Sequence, residues 1–111
     1  MAYTGLNEVE ARRAGFHPVS GFVTVQSRAT AYPGASPIHI RLVADRPTGR
    51  LLGAQMVGKE GAVGRTNVVA ACLHRPTPLE ELALMDLCYA PPFSPSWDPL
   101  HIAAQECLKK F

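Results

Sequence analysis

From Ile38 to Ala44 apolar and polar positions alternate: Ile38, Ile40, Leu42 and Ala44 fall on one side, His39, Arg41 and Val43 on the other. A period of two predicts a half-buried strand. Asp45-Arg46-Pro47-Thr48-Gly49-Arg50 is a turn cluster, and Leu51 to Val57 reads as a second strand, so the pair should form an antiparallel hairpin. Upstream, the aromatic and β-branched run from Phe22 to Gln26 predicts another strand. Ala31-Tyr32-Pro33-Gly34-Ala35-Ser36-Pro37, between that strand and Ile38, is loop by composition.

The helical signals lie on either side. Asn7 reads as the N-cap of a short helix over Glu8–Ala14, with Glu10 placed to reach back to the cap and Gly15 where a left-handed terminator belongs. Small and apolar residues from Arg65 to Arg75 predict a second helix, ended by Pro76. Thr77-Pro78-Leu79-Glu80 has the spacing of a capping box, opening a helix with Leu79, Leu82, Ala83 and Met85 on its apolar face. Pro91-Pro92-Phe93-Ser94-Pro95 admits neither helix nor central strand. Asp98 and Pro99 then read as cap and first residue of a last helix that buries Leu100, Ala103, Ala104, Cys107 and Leu108. The whole predicts an α+β fold, a small antiparallel sheet with helices packed on it.

Composition narrows the function classes. The chain has 111 residues, enough for one domain that needs neither disulfides nor metal to fold. Its 47% hydrophobic content argues against disorder. Eleven basic residues against nine acidic, with neither half strongly basic, exclude the electrostatic footprint of a nucleic-acid binder. The N-terminal residues show no charged and apolar secretory pattern, and the longest apolar run, Val68 to Leu73, is far short of a membrane span. Three scattered cysteines, Cys72, Cys88 and Cys107, make no disulfide framework, which fits a reducing cytoplasm.

Candidate chemistry is sparse. Gly58-Lys59-Glu60-Gly61-Ala62-Val63-Gly64 has GxxGxxG spacing, which matches neither the dinucleotide loop nor the P-loop, and reads as a strand-to-helix connection. His17, His39, His74 and His101 show no metal-ligand spacing, so no metal is expected. Cys72 and Cys107 fall among apolar helix positions and read as inert thiols. Cys88 borders the proline loop, and only Arg75 and the histidines offer it positive charge. Six of ten prolines lie between Pro76 and Pro99, and Tyr89, Phe93 and Trp97 crowd into the same region. Large apolar groups on stiff backbone suit docking to another surface, but composition leaves a loop folded on its own core equally open.

Three segments carry a resemblance. Thr4–Ala11, the hairpin Leu42–Gly58 (Leu-Val-Ala-Asp-Arg-Pro-Thr-Gly-Arg-Leu-Leu-Gly-Ala-Gln-Met-Val-Gly) and Leu87–Leu100 (Leu-Cys-Tyr-Ala-Pro-Pro-Phe-Ser-Pro-Ser-Trp-Asp-Pro-Leu) occur in order. Together they resemble the C-terminal dimerisation domain of FAD-dependent pyridine nucleotide–disulfide oxidoreductases. The last segment is similar to the coenzyme A-disulfide reductase and NADH oxidase branch.

The resemblance implies that residues 1–111 are a single dimerisation domain, with the FAD and NAD(P)H domains of the parent enzyme absent from this chain. It implies FAD and NAD(P)H as cofactors of the full enzyme, none held by this domain alone. The implied partners are a second copy and the FAD domain of the same enzyme, with no nucleic acid and no membrane. The Tyr-Ala-Pro-Pro-Phe loop would complete the partner subunit's active site, its Ala90, Pro91, Pro92 and Phe93 facing the cofactor. Other members of the superfamily carry a catalytic histidine before this proline; here Ala90 stands there. The implied catalytic groups are instead Tyr89 and Tyr32, phenols of pKa about 10 that donate hydrogen bonds at neutral pH.

Two other readings stand beside this one: a stand-alone dimerisation or docking module without flavin chemistry, and a small thiol enzyme using Cys88. Met1 directly before the first motif fits a piece of a longer enzyme or a short gene equally well.

Overall fold

The alternating segment is the spine of the fold. The computed structural model describes residues 1–111, and Ile38–Ala44 forms the middle of β3 (Pro37–Asp45). Ile38, Ile40, Leu42 and Ala44 are fully buried in the main core. β3 pairs on one side with β2 (Pro18–Gln26), from Pro18↔Asp45 to Gln26↔Pro37. On the other side it pairs with β4 (Leu51–Gly58), the register shifting between Val43 and Ala44. β1 (Ala2–Gly5) adds to β4, giving an all-antiparallel order β1-β4-β3-β2. The expected hairpin is therefore present. β1 is an unanticipated edge strand of four residues, and β2 begins four residues before Phe22.

α2 (Ala62–Cys72) and α4 (Pro99–Leu108) cover one face of the sheet, and α3 (Leu79–Leu84) packs against α4. Their Ala62, Val69, Leu79, Leu82, Leu100, Ala103, Ala104 and Cys107 join the strand residues in one core of 18 buried side chains. Each buried leucine there contributes about 1.5–3 kcal/mol by leaving water. A short helix, preceding β2 and here called α1 (Glu8–Arg13), closes a smaller cluster in which Ala11 meets Val43 and Leu52. Gly21 explains how α4 sits so low on β2. A Cβ at that position would lie 2.6 Å from the Cys107 Cα, so only glycine permits the approach.

The helix ends show which local signals prevail. Asn7 and Glu10 form the expected reciprocal cap of α1, and Gly15 follows with φ +93°. The Asp98 carboxylate accepts from the Leu100 N–H at 2.9 Å, with Pro99 in the first turn of α4. α2 starts three residues before Arg65 and ends at Cys72, because Gly61, at φ +78°, turns the chain into the helix. Thr77 does not cap α3. Its hydroxyl donates to the carbonyls of Cys72 at 2.7 Å and Arg75 at 3.2 Å, closing the end of α2, while Pro78 precedes α3 with no side-chain bond. The orphan carbonyls of α2 take the hydroxyl that the α3 amides would otherwise have received.

Candidate functional site

The β2–β3 loop and the segment between α3 and α4 meet over the N-terminal end of α2. The Ala29 N–H donates to the Pro91 carbonyl at 3.3 Å, joining the two segments directly. The Tyr32 N–H donates to the Ala29 carbonyl at 3.0 Å, closing the turn that carries Tyr32. The Phe93 and Ser94 N–H groups donate to the Ala90 carbonyl at 2.8 and 2.9 Å, so the Pro-Pro stretch is a tight turn. Fixed proline φ angles reduce what that turn loses on ordering.

Beneath the turn lies Arg65, buried although it sits in the first turn of α2. Its Nε donates to Asp98 Oδ1 at 3.0 Å, its Nη1 to the Gly61 carbonyl at 3.3 Å, and its Nη2 to the carbonyls of Ser27 at 3.0 Å and Phe93 at 3.2 Å. A second ionic group lies alongside. Ser27 Oγ and Arg28 Nε each donate to Glu60 Oε1 at 2.8 Å, Arg28 Nη2 pairs with Glu60 Oε2, and Arg28 Nη1 donates to the Pro33 carbonyl at 3.0 Å. The Arg28 bond, and then Ser27, hold the Glu60 carboxyl below the ordinary carboxylate value.

Around Ala90 the side chains alternate between two hollows. Cys88, Ala90, Pro92 and Phe93 line an open cleft of about 630 Å³ with Glu60 and Arg65. Leu87, Tyr89 and Trp97 line a second hollow of about 320 Å³ with Leu84 and His101. Of the four residues expected to face the cofactor, Phe93 is exposed and Ala90, Pro91 and Pro92 are half-buried. Tyr89 is 54% exposed and Tyr32 41%. The structure places the two phenols on adjoining loops without bringing them into one cavity of the same chain.

Other candidates take defined places. His101 is buried; its Nδ1 accepts from the Asp98 N–H at 3.0 Å and its Nε2 bonds the Met85 carbonyl at 2.7 Å, which fits a neutral ring protonated on Nε2. Cys107 is fully buried, and burial pushes its thiol up to about 11. Cys72 is half-buried and shifted up for the same reason. Cys88 is exposed on the cleft that Arg65 also lines, whereas Arg75 lines a different hollow. Arg65 is committed to Asp98 and three carbonyls, so it offers a thiolate no free charge. No group of three or more histidine, cysteine, aspartate or glutamate side chains converges, and no helix is long and apolar enough to cross a membrane.

Arg65 escapes a reading of the sequence because its ion partner lies 33 residues away. One local oddity marks it, a cation in the first turn of a helix, where the helix dipole opposes positive charge.

The family profile for the pyridine nucleotide-disulphide oxidoreductase dimerisation domain matches residues 1–100, spanning the sheet, α2, α3 and the aromatic turn. The chain belongs to this family. A coenzyme A polysulfide/persulfide reductase using NAD(P)H, from Pyrococcus horikoshii, is 39% identical to this domain over 102 residues, 92% of the chain and 23% of that protein. A coenzyme A disulfide reductase of Staphylococcus aureus is 36% identical over 94 residues, 85% of the chain and 21% of that protein. The structure of an NAD-dependent persulfide reductase from A. fulgidus superimposes with a TM-score of 0.93 at 33% identity, covering 98% of the chain and 20% of that structure. The domain thus spans less than a quarter of the length of these relatives.

The residues present fit one wall of a flavin site and no more. Ala90, Pro92 and Phe93 give a small, stiff apolar edge suited to a planar ring. The Gly58–Gly64 connection lacks the spacing of a diphosphate loop, and the Arg65 guanidinium lies against Gly61, its Nη1 donating to the Gly61 carbonyl at 3.3 Å.

Proposed function

We propose that residues 1–111 serve as the interface domain of an FAD-dependent NAD(P)H oxidoreductase acting on coenzyme A-linked disulfides or persulfides. The enzyme is a cytoplasmic homodimer whose remaining domains bind both cofactors. One observation carries this reading. In a domain of the dimerisation family, the segment Tyr89–Trp97 is held from beneath by buried polar contacts while Tyr89, Phe93 and Trp97 point outward, 54%, 76% and 55% exposed. Such a surface is preorganised for a second copy, because little ordering remains to oppose association.

FAD would be held by the enzyme's other domains, where it would relay two electrons from NAD(P)H to the disulfide. The Ala90–Phe93 turn closes one edge of the partner's site and excludes water there. Tyr89 and Tyr32 each donate a phenolic hydrogen bond to the sulfur that departs as thiolate, a charge that develops only as the S–S bond breaks. Loss of an oxyanion-type donor costs roughly 10²–10³ in rate. In the full-length enzyme, Tyr89→Phe with Tyr32→Phe should lower disulfide reduction at least tenfold while flavin reduction by NAD(P)H stays unchanged. An unaltered disulfide rate would remove the donor role. The denatured mass and visible spectrum of the polypeptide from its source cell test the larger claim. A heavy yellow protein is expected, and a colourless 12.0 kDa one would make the domain a stand-alone docking module.

A further inference from the structure

We propose that Arg65 is a positioning residue that makes the two tyrosine-bearing loops a single mechanical unit. The catalytic consequence rests on the reading of Tyr32 and Tyr89 given above; the coupling itself stands on the contacts of Arg65.

One nitrogen of Arg65, Nη2, donates to a carbonyl on each loop, Ser27 at 3.0 Å and Phe93 at 3.2 Å. The remaining nitrogens fix the guanidinium itself, Nε on the Asp98 carboxylate and Nη1 on the Gly61 carbonyl. The Arg65 and Asp98 side chains are only 9% and 12% exposed, so both charges are largely withdrawn from water and rely on each other. From Ser27 the chain of bonds continues outward: its hydroxyl reaches Glu60, Glu60 holds Arg28, and Arg28 donates to the Pro33 carbonyl beside Tyr32. A continuous polar path therefore runs from the turn of Tyr32 to the turn after Tyr89. The backbone bond from Ala29 to Pro91 runs parallel to it.

Lysine cannot replace this. Its ammonium is a point donor on a flexible stem and cannot reach Asp98 and two separate loops at once, whereas the planar fork of arginine is preset for it. The loops should accordingly open together, as one unit distinct from the sheet. Presenting two donors at a fixed separation to a site on another subunit requires such coupling, since a displacement of about 1 Å can cost 10²-fold in rate.

Amide hydrogen exchange on the 111-residue chain tests the coupling, with acrylamide quenching of Trp97, its one tryptophan, as a second signal. Arg65→Lys keeps the charge beside Asp98 and should speed exchange at Ala29, Phe93 and Ser94 tenfold or more, leaving Ile40 and Leu42 at the parent rate. Glu60→Gln acts from the far end. Glu60 makes no hydrogen bond to residues 90–94, yet its substitution should speed exchange there and raise Trp97 quenching. A role confined to local stability would not produce that transmission. Opening of one loop alone, or unchanged exchange at 90–94 in Glu60→Gln, overturns the proposal; the latter decides even where Arg65→Lys fails to fold. In the full-length reductase, Arg65→Lys should lower the disulfide kcat about tenfold with the NAD(P)H KM unchanged, and a wild-type kcat with opened loops would overturn the catalytic consequence. Failure of the tyrosine reading looks different: Tyr89→Phe with Tyr32→Phe then leaves the rate intact while the exchange coupling persists.

Discussion

Asp45 shows how much one side chain organises at the end of β3. Its Oδ1 accepts from the His17 N–H at 3.0 Å and its Oδ2 from the Thr48 hydroxyl at 2.8 Å, so it ties the entry to β2 to the hairpin turn. The His17 bond leads the effects that lower its pKa, against the opposing cost of burial, with Thr48 helping. A carboxyl whose folded pKa is depressed stabilises the fold above its ordinary value of about 4 and loses that contribution as pH falls through the folded value. Asp45→Asn should therefore cost about 1–2 kcal/mol at pH 7 in a denaturant titration. The gap between variant and parent should narrow steadily below pH 4; a gap independent of pH would assign the role of Asp45 to shape alone. The cysteines separate at the same scale. With Cys107 buried and its thiol pushed up to about 11, iodoacetamide at neutral pH should label Cys88 in the folded protein and Cys107 only after unfolding. Cys88 should react no faster than a free thiol, since Arg65 is already committed; an accelerated rate would revive a thiol enzyme.

At the scale of elements, Gly21 and α4 depend on each other. Gly21→Ala puts a methyl 2.6–2.7 Å from Cys107 backbone and Cβ atoms, where a helix rather than a flexible side-chain tip must move. Overpacking of this kind costs about 1–3 kcal/mol, and it should appear as a lower denaturation midpoint with faster exchange along α4. Unchanged stability would mean that α4 slides freely over β2. The same residue explains a misjudged boundary. Gly21 interrupts the β-branched run and makes Phe22 look like the start of the strand, while the reason for glycine lies on another element 86 positions along the chain. Signals that complete themselves locally are legible: Asn7 with Glu10, Asp98 with Pro99, and the alternation of Ile38–Ala44 each contain their own partners. β1 is four residues defined by its pairing with β4, and the Thr77 hydroxyl is drawn by carbonyls at the end of a different helix. The aromatic loop is legible in the sequence as unusual, because its prolines and aromatic residues are contiguous. The buried clamp under it is not, because Arg65, Ser27, Glu60 and Asp98 converge only in three dimensions.

Two surfaces of the molecule that group exposed aromatic residues differ in their surroundings. On the open face of the sheet, Tyr3, Gln55, Arg41 and Phe22 form one row across four strands. Phe22 there is already engaged, with the Arg41 guanidinium 5.3 Å over its ring and His39 stacked at 6.3 Å. Cation–π and stacking contacts of this kind satisfy an aromatic face at a water boundary. At the loop end, Leu84, Tyr89, Phe93 and Trp97 are 79%, 54%, 76% and 55% exposed, and the one aromatic contact among them is the edge of Trp97 on His101. Rigid, unpartnered aromatic groups on a fixed backbone are where interface energy concentrates. Phe93→Ser should therefore weaken self-association about 30-fold, corresponding to about 2 kcal/mol, in sedimentation velocity over a concentration series. Phe22→Ser should shift it less than about threefold, because that ring gives up partners on its own sheet rather than on a second copy. The reverse ranking would move the dimer seam to the sheet face and leave the Tyr89–Trp97 loop facing other parts of its own polypeptide. Tyr89 could then no longer reach a partner's site, so the mechanism and the assembly stand or fall on the same two substitutions.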